Sequence, residues 1–86
     1  MYSVAYSRQA TRSLSRMPRN LAQSIQAKIS AVAVDPYARH NNVTKLKGRE
    51  GFRLRVGDWR VIYEIADAQV VIHVVRIASR GSIYQV

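Results

Sequence analysis

Two apolar periods divide this chain, and the point where one gives way to the other constrains the fold more than any other feature. Leu21, Ile25, Ile29 and Val32 recur at three- and four-residue steps, supported by Ala22 and Ala33, which is the stripe of an amphipathic helix. The stripe stops before Asp35-Pro36, because proline disfavours a helical residue ahead of it. Beyond Thr44 the period falls to two, and Phe52, Leu54 and Val56 alternate with Arg53 and Arg55. A strand turns successive side chains to opposite faces, so the apolar set faces a core while the two arginines share the other side. Helices early and strands late imply an α+β fold, with a helix pair covering one sheet face.

The remaining elements fit this frame. Tyr2 to Tyr6 reads as a strand with Tyr2, Val4 and Tyr6 on one side. Ser7 is a suitable N-cap for a first helix on which Ala10, Leu14 and Met17 share one face. Arg8, Arg12 and Arg16 line another face, which is either solvated or the flank of an RNA or partner surface. Pro18 opens the second helix, and the tight break between the two implies an antiparallel pair. Pro36 to Val43 is a polar connection. Strands are expected at Lys45 to Lys47, Phe52 to Val56, Trp59 to Ile65 and Val70 to Ile77, with Gly57-Asp58 and Asp67-Ala68-Gln69 as turns. The last strand is the most apolar and is expected to be central and buried on both faces. The predicted architecture is therefore an N-terminal strand, two helices, and three to four antiparallel strands. At 86 residues it forms a single domain, 1–86, with a thin core.

Fourteen Lys plus Arg oppose five Asp plus Glu, a formal charge of +9. Such a surface attracts polyanions. Arginine's planar fork binds phosphate bidentately and stacks on bases, which points to nucleic acid, an acidic protein, or both in turn. Cysteine is absent. No apolar stretch approaches the roughly 20 residues of a membrane span, and no signal-peptide pattern is visible, so a cytoplasmic protein without membrane attachment is expected. The two histidines lack clustered carboxylates or cysteines, which points away from a metal site, and no cofactor is expected. His73, within an apolar strand, reads as a core histidine, and His40 as a loop residue. Asp58 reads as turn chemistry, Glu64 as a strand-surface residue, and Glu50 as a weak candidate base.

The segment LKGREGFRLRVGDWRVIYEI, from Leu46 to Ile65, followed by RIASRGSIY, from Arg76 to Tyr84, resembles the RelE/ParE superfamily of toxins. These are the small basic partners in bacterial toxin–antitoxin pairs. The terminal arginine followed four residues later by tyrosine resembles the RelE branch, whose members cut mRNA on the ribosome. ParE-like members inhibit DNA gyrase without cutting RNA. The resemblance implies a catalytic group of Arg60, Arg80 and Tyr84, with Arg60 gripping the scissile phosphate. It places RNA contacts at Arg53 and Arg55, to which Lys45 and Lys47 are added. Ser79 stands where many members have histidine. The implied partners are an acidic antitoxin, the ribosome and mRNA, with DNA contacted only through the antitoxin. A basic RNA-binding protein of ribosomal type is a third reading.

Cutting RNA without metal requires activation of a 2′-hydroxyl, stabilisation of charge on the phosphate, and a proton for the leaving 5′-oxygen. Guanidinium groups serve the second need. Arginine hardly deprotonates, with a pKa above about 12; in the site that the resemblance implies, Tyr84 serves as base, as stacking platform for an mRNA base, or as both.

Overall fold

Ser7 ties the first helix to the far end of the chain. Its hydroxyl oxygen accepts from the Ala10 amide at 3.0 Å and donates to the Val75 carbonyl at 2.7 Å. The N-cap is thus also a tertiary contact. The computed structural model describes residues 1–79. Strand β1 (Ser3–Tyr6) leads into α1 (Arg8–Arg16), and α2 (Arg19–Val34) follows. Pro18 sits at the N-cap of α2, its carbonyl accepting from the Leu21 and Ala22 amides at 3.0 Å each. Then come β2 (Val43–Lys45), β3 (Phe52–Val56), β4 (Trp59–Ala66), a 3₁₀ turn at Asp67–Gln69, and β5 (Val71–Ser79).

The five strands form one mixed sheet in the order β1-β5-β4-β3-β2. β1 runs parallel to β5, and every other pair is antiparallel. A parallel pair needs a long connection, and here everything from α1 to β4 supplies it. Both helices pack on one face. Ile25, Ile29, Val32 and Ala33 of α2, with Ala10 and Met17, meet Leu54, Val56, Val61, Tyr63, Ile72, Val74 and Ile77 in a single buried cluster. The predicted α2 stripe is this buried face, although Leu21 and Ala22 are only half-buried.

Past Val74, among the described residues, no strand pairs with the outer side of β5. A side chain takes that place. Gln9 accepts from the Ile77 amide at 2.9 Å and donates to the Ile77 carbonyl at 2.8 Å, as a neighbouring strand would. Ser13 adds a hydroxyl to the same carbonyl at 2.8 Å. The seam fixes α1 against the sheet edge and satisfies backbone groups that would otherwise be exposed to pairing.

The structure corrects several sequence-based expectations. The strand expected at Lys45–Lys47 lies at Val43–Lys45, because Val43 pairs with Leu54 and so joins the apolar face. Gly51 then closes the loop with a φ of +114°, and a Cβ there would stand 3.0 Å from the Tyr63 carbonyl oxygen, so only glycine fits. β5 is an interior strand, but β4 holds the middle of the sheet. Nor is β5 buried on both faces: His73 is exposed, not in the core, because the helices cover only one side. The N-terminal strand joins the same sheet, making it five-stranded and mixed. No helix among the described residues is long and apolar enough to cross a membrane.

Candidate nucleic-acid interface

Residues paired across neighbouring strands project to the same face, so the register identifies what the helix-free side carries. One row is Arg55, Arg60 and Ala78, and the next is Thr44, Arg53, Ile62 and Arg76. A third row places Glu64 opposite His73. Four guanidinium groups therefore arise from three adjacent strands within about 10 Å across the sheet and about 7 Å along it. The alternation read from the sequence put Arg53, Arg55 and Arg60 together, and the structure agrees.

Arg76 is the member that sequence reasoning missed. Ile72 and Val74 face the core, and strict alternation would send Arg76 there too. The β4–β5 register shifts between Ile62 and Tyr63, so that Tyr63 pairs with Val74 while Ile62 pairs with Arg76. Val75 is the extra residue of a β-bulge, and beyond it the strand's parity reverses. Nothing in the local sequence marks the bulge.

The electrostatics of this face work against the isolated fold. Arg55 and Arg60 stand directly opposite one another, and like charges so placed are destabilising. Arg60 folds over the β3–β4 hairpin, its Nη1 donating to the Trp59 carbonyl at 3.3 Å and weakly to the Gly57 carbonyl at 3.5 Å. Its other donors are not used in these bonds. The Nε of Arg76 is buried with no hydrogen-bond partner. A desolvated, unpaired guanidinium donor is costly. Together these features leave four guanidinium groups gathered on one face of a rigid sheet.

The other expected site residues lie elsewhere. Lys45 pairs with Phe52 and so belongs to the edge of the helix-bearing face, while Lys47 sits in the bend beyond it; neither joins the arginine patch. Arg80 and Tyr84 lie outside the described residues. Glu50 and Asp58 are exposed loop residues. His40 donates from Nε2 to the Asp35 carbonyl at 2.7 Å, a loop contact far in sequence from the patch. His73 Nε2 lies 3.2 Å from Gln69 Oε1.

Comparison with known proteins agrees with this fold. No curated protein sequence matches the chain. Among solved structures, the toxin of the archaeal RelE–RelB complex from Pyrococcus horikoshii is 27% identical. The match covers 93% of this chain and 96% of that one, with a TM-score of 0.79. The isolated E. coli RelE toxin superposes with a TM-score of 0.79 at 19% identity, covering 99% and 93% of the two chains. The intact E. coli RelBE toxin–antitoxin complex matches with a TM-score of 0.78 at 18% identity, over 92% and 96%. At the two lower identities the likeness is one of fold. A family model, the ParE toxin of type II toxin–antitoxin systems, matches residues 4–84. With nearly its whole length matched, the chain belongs to the ParE toxin family of type II toxin–antitoxin systems, within the RelE/ParE superfamily.

Proposed function

We propose that this toxin is a ribosome-dependent endoribonuclease that cleaves translated mRNA on its helix-free sheet face. The observation that carries the reading is the cluster of Arg53, Arg55, Arg60 and Arg76 on that face, with Arg55 opposite Arg60 and the Arg76 Nε buried without a partner. Two rows about 7 Å apart suit successive phosphates of a single strand. In the reaction, the 2′-oxygen attacks the adjacent phosphorus and gives up its proton, the P–O5′ bond breaks, and the 5′-oxygen takes a proton. Arg60 and Arg80 stabilise the charge that develops on the phosphoryl oxygens, each such donor contributing roughly 3 kcal/mol. Tyr84 stacks on a base and accepts the 2′-proton. Arg53 and Arg55 hold the strand. Lys45, at the edge of the other face, and Lys47, in the bend beyond β2, contact the ribosome rather than the scissile strand.

Relatives of this fold have been solved with their antitoxins, including the E. coli and P. horikoshii complexes. A chain of net +9 suits an acidic, extended antitoxin that covers the arginine face. DNA contact falls to that antitoxin, and the toxin works in the bacterial cytoplasm, where translating ribosomes are.

A second reading has one specific support, the family model named for ParE. In it the same face inhibits DNA gyrase without cutting RNA. Mapping mRNA 5′ ends after induced expression separates the two. New ends inside translated codons, absent with Arg60→Ala and reduced with Tyr84→Phe, support cleavage. Intact mRNA with double-strand DNA breaks, and equal toxicity of Tyr84→Phe and Tyr84→Ala, would assign the protein to gyrase inhibition.

A further inference from the structure

The first acidic residue of this chain is Asp35, and the 34 residues before it carry Arg8, Arg12, Arg16, Arg19 and Lys28. Three of these form a line on α1. At 1.5 Å rise per residue, Arg8, Arg12 and Arg16 are spaced about 6 Å apart along the helix and fall within an arc of about 80°. All three are exposed and, with Gln9 and Ser13, line one shallow groove. The arrangement breaks two local rules at once. Like charges at four-residue spacing repel, and Arg8 puts a cation in the first turn, where the helix dipole favours an anion and no acid is present. The helix tolerates this because Ser7, Gln9 and Ser13 bind it to β5. A charge pattern kept against local preference, with no compensating partner on its own helix, marks a surface that meets an anion.

We propose that this face of α1 is a second nucleic-acid surface, separate from the cleavage face, that grips the phosphate backbone of double-helical RNA. Among the described residues that line it, the groove has no aromatic side chain on which an unpaired base could stack. Those same residues include no apolar anchor for a peptide helix, which such partners require. Only charge and short polar groups remain, which suits a backbone whose bases are turned inward. The groove between the two helices, by contrast, is lined by Tyr6, Leu14, Met17 and Ala22 among polar groups, and has the anchors that a peptide needs. The phosphate contact follows from the α1 geometry, whereas the choice of RNA over DNA rests on the ribonuclease reading.

The test is binding of the full chain to a labelled RNA hairpin with a fully paired stem, measured by anisotropy across a salt series. Replacing Arg8, Arg12 and Arg16 together by Gln is expected to flatten the slope of log K against log salt by roughly 2 to 3, whereas the triple Lys variant keeps it. Both variants are checked for unchanged thermal unfolding, so that a folding failure is not scored as lost binding. An unchanged slope in the Gln variant overturns the proposal. So does loss of binding to an acidic peptide alone, which would make the face a protein contact, or an equal effect on a DNA duplex, which would remove the RNA assignment. Failure of wild-type protein to cleave mRNA counts against the ribonuclease reading only, because hairpin binding is read without cleavage.

Discussion

Tyr63 is fully buried on the helix-bearing face, and its hydroxyl has no hydrogen-bond partner. Its ring stacks on Phe52 with centroids 5.4 Å apart and planes at 18°, so the ring belongs to the core and the oxygen does not. A buried hydroxyl left unsatisfied costs about 1–3 kcal/mol, and deleting it without disturbing the ring recovers part of that. Tyr63→Phe removes one atom, keeps the stacking and opens almost no cavity. We expect a gain of about 1 kcal/mol, read as a higher urea midpoint at unchanged m-value and a rise of about 4–8 °C in Tm for a domain of this size. The pH dependence provides an independent check. Burial pushes the Tyr63 hydroxyl up from its ordinary value of 10 to about 12. The fold therefore favours the protonated form, and the corresponding stability is fully present below pH 10 and lost as pH rises through 10 to 12. Stability of wild type and Tyr63→Phe should accordingly diverge further above pH 10, with the variant losing less. A variant less stable than wild type at neutral pH, with no alkaline divergence, would show that the hydroxyl is satisfied and that the reasoning is wrong.

Arg55→Gln should stabilise the fold while weakening RNA binding, because it relieves the charge opposite Arg60. At about 5 Å in water the repulsion is about 0.8 kcal/mol, and the gain measured by urea unfolding should vanish near 1 M salt. Asp67 accepts hydrogen bonds from the Tyr37 and Tyr2 hydroxyls, which hold its carboxyl below the usual carboxylate range. The stability this contributes is present above about pH 4 and is lost as pH falls through the lowered value. Urea midpoints taken from pH 6 downward should therefore fall further for wild type than for Asp67→Asn. Gly51→Ala should cost about 1–3 kcal/mol, from a positive φ and a Cβ forced against the Tyr63 carbonyl; a thermal melt equal to wild type would contradict the contact.

Most of the architecture was legible because it is written in local period. The α2 stripe and the β3 alternation each place their own residues by geometry that repeats every 3.6 or 2 positions, and Arg53, Arg55 and Arg60 came with them. Errors began where one element's position depended on another's. Val43 belongs to β2 only because Leu54 stands opposite it, and the same register carries Lys45 away from the arginine face. His73 looked like a core residue because its neighbours are apolar, yet which side of β5 is covered depends on where the helices pack.

Arg76 shows the same division most clearly. Its charge, its neighbours and the family to which the chain belongs can all be read along one dimension. Which face of the sheet receives it cannot, because that depends on a single extra residue, Val75, opposite the Ile62–Tyr63 step of β4. The chain's periods determine that there will be helices, strands and an arginine row. The number of guanidinium groups gathered on one surface is decided by strand pairing, where a one-residue slip exchanges the two faces of everything that follows.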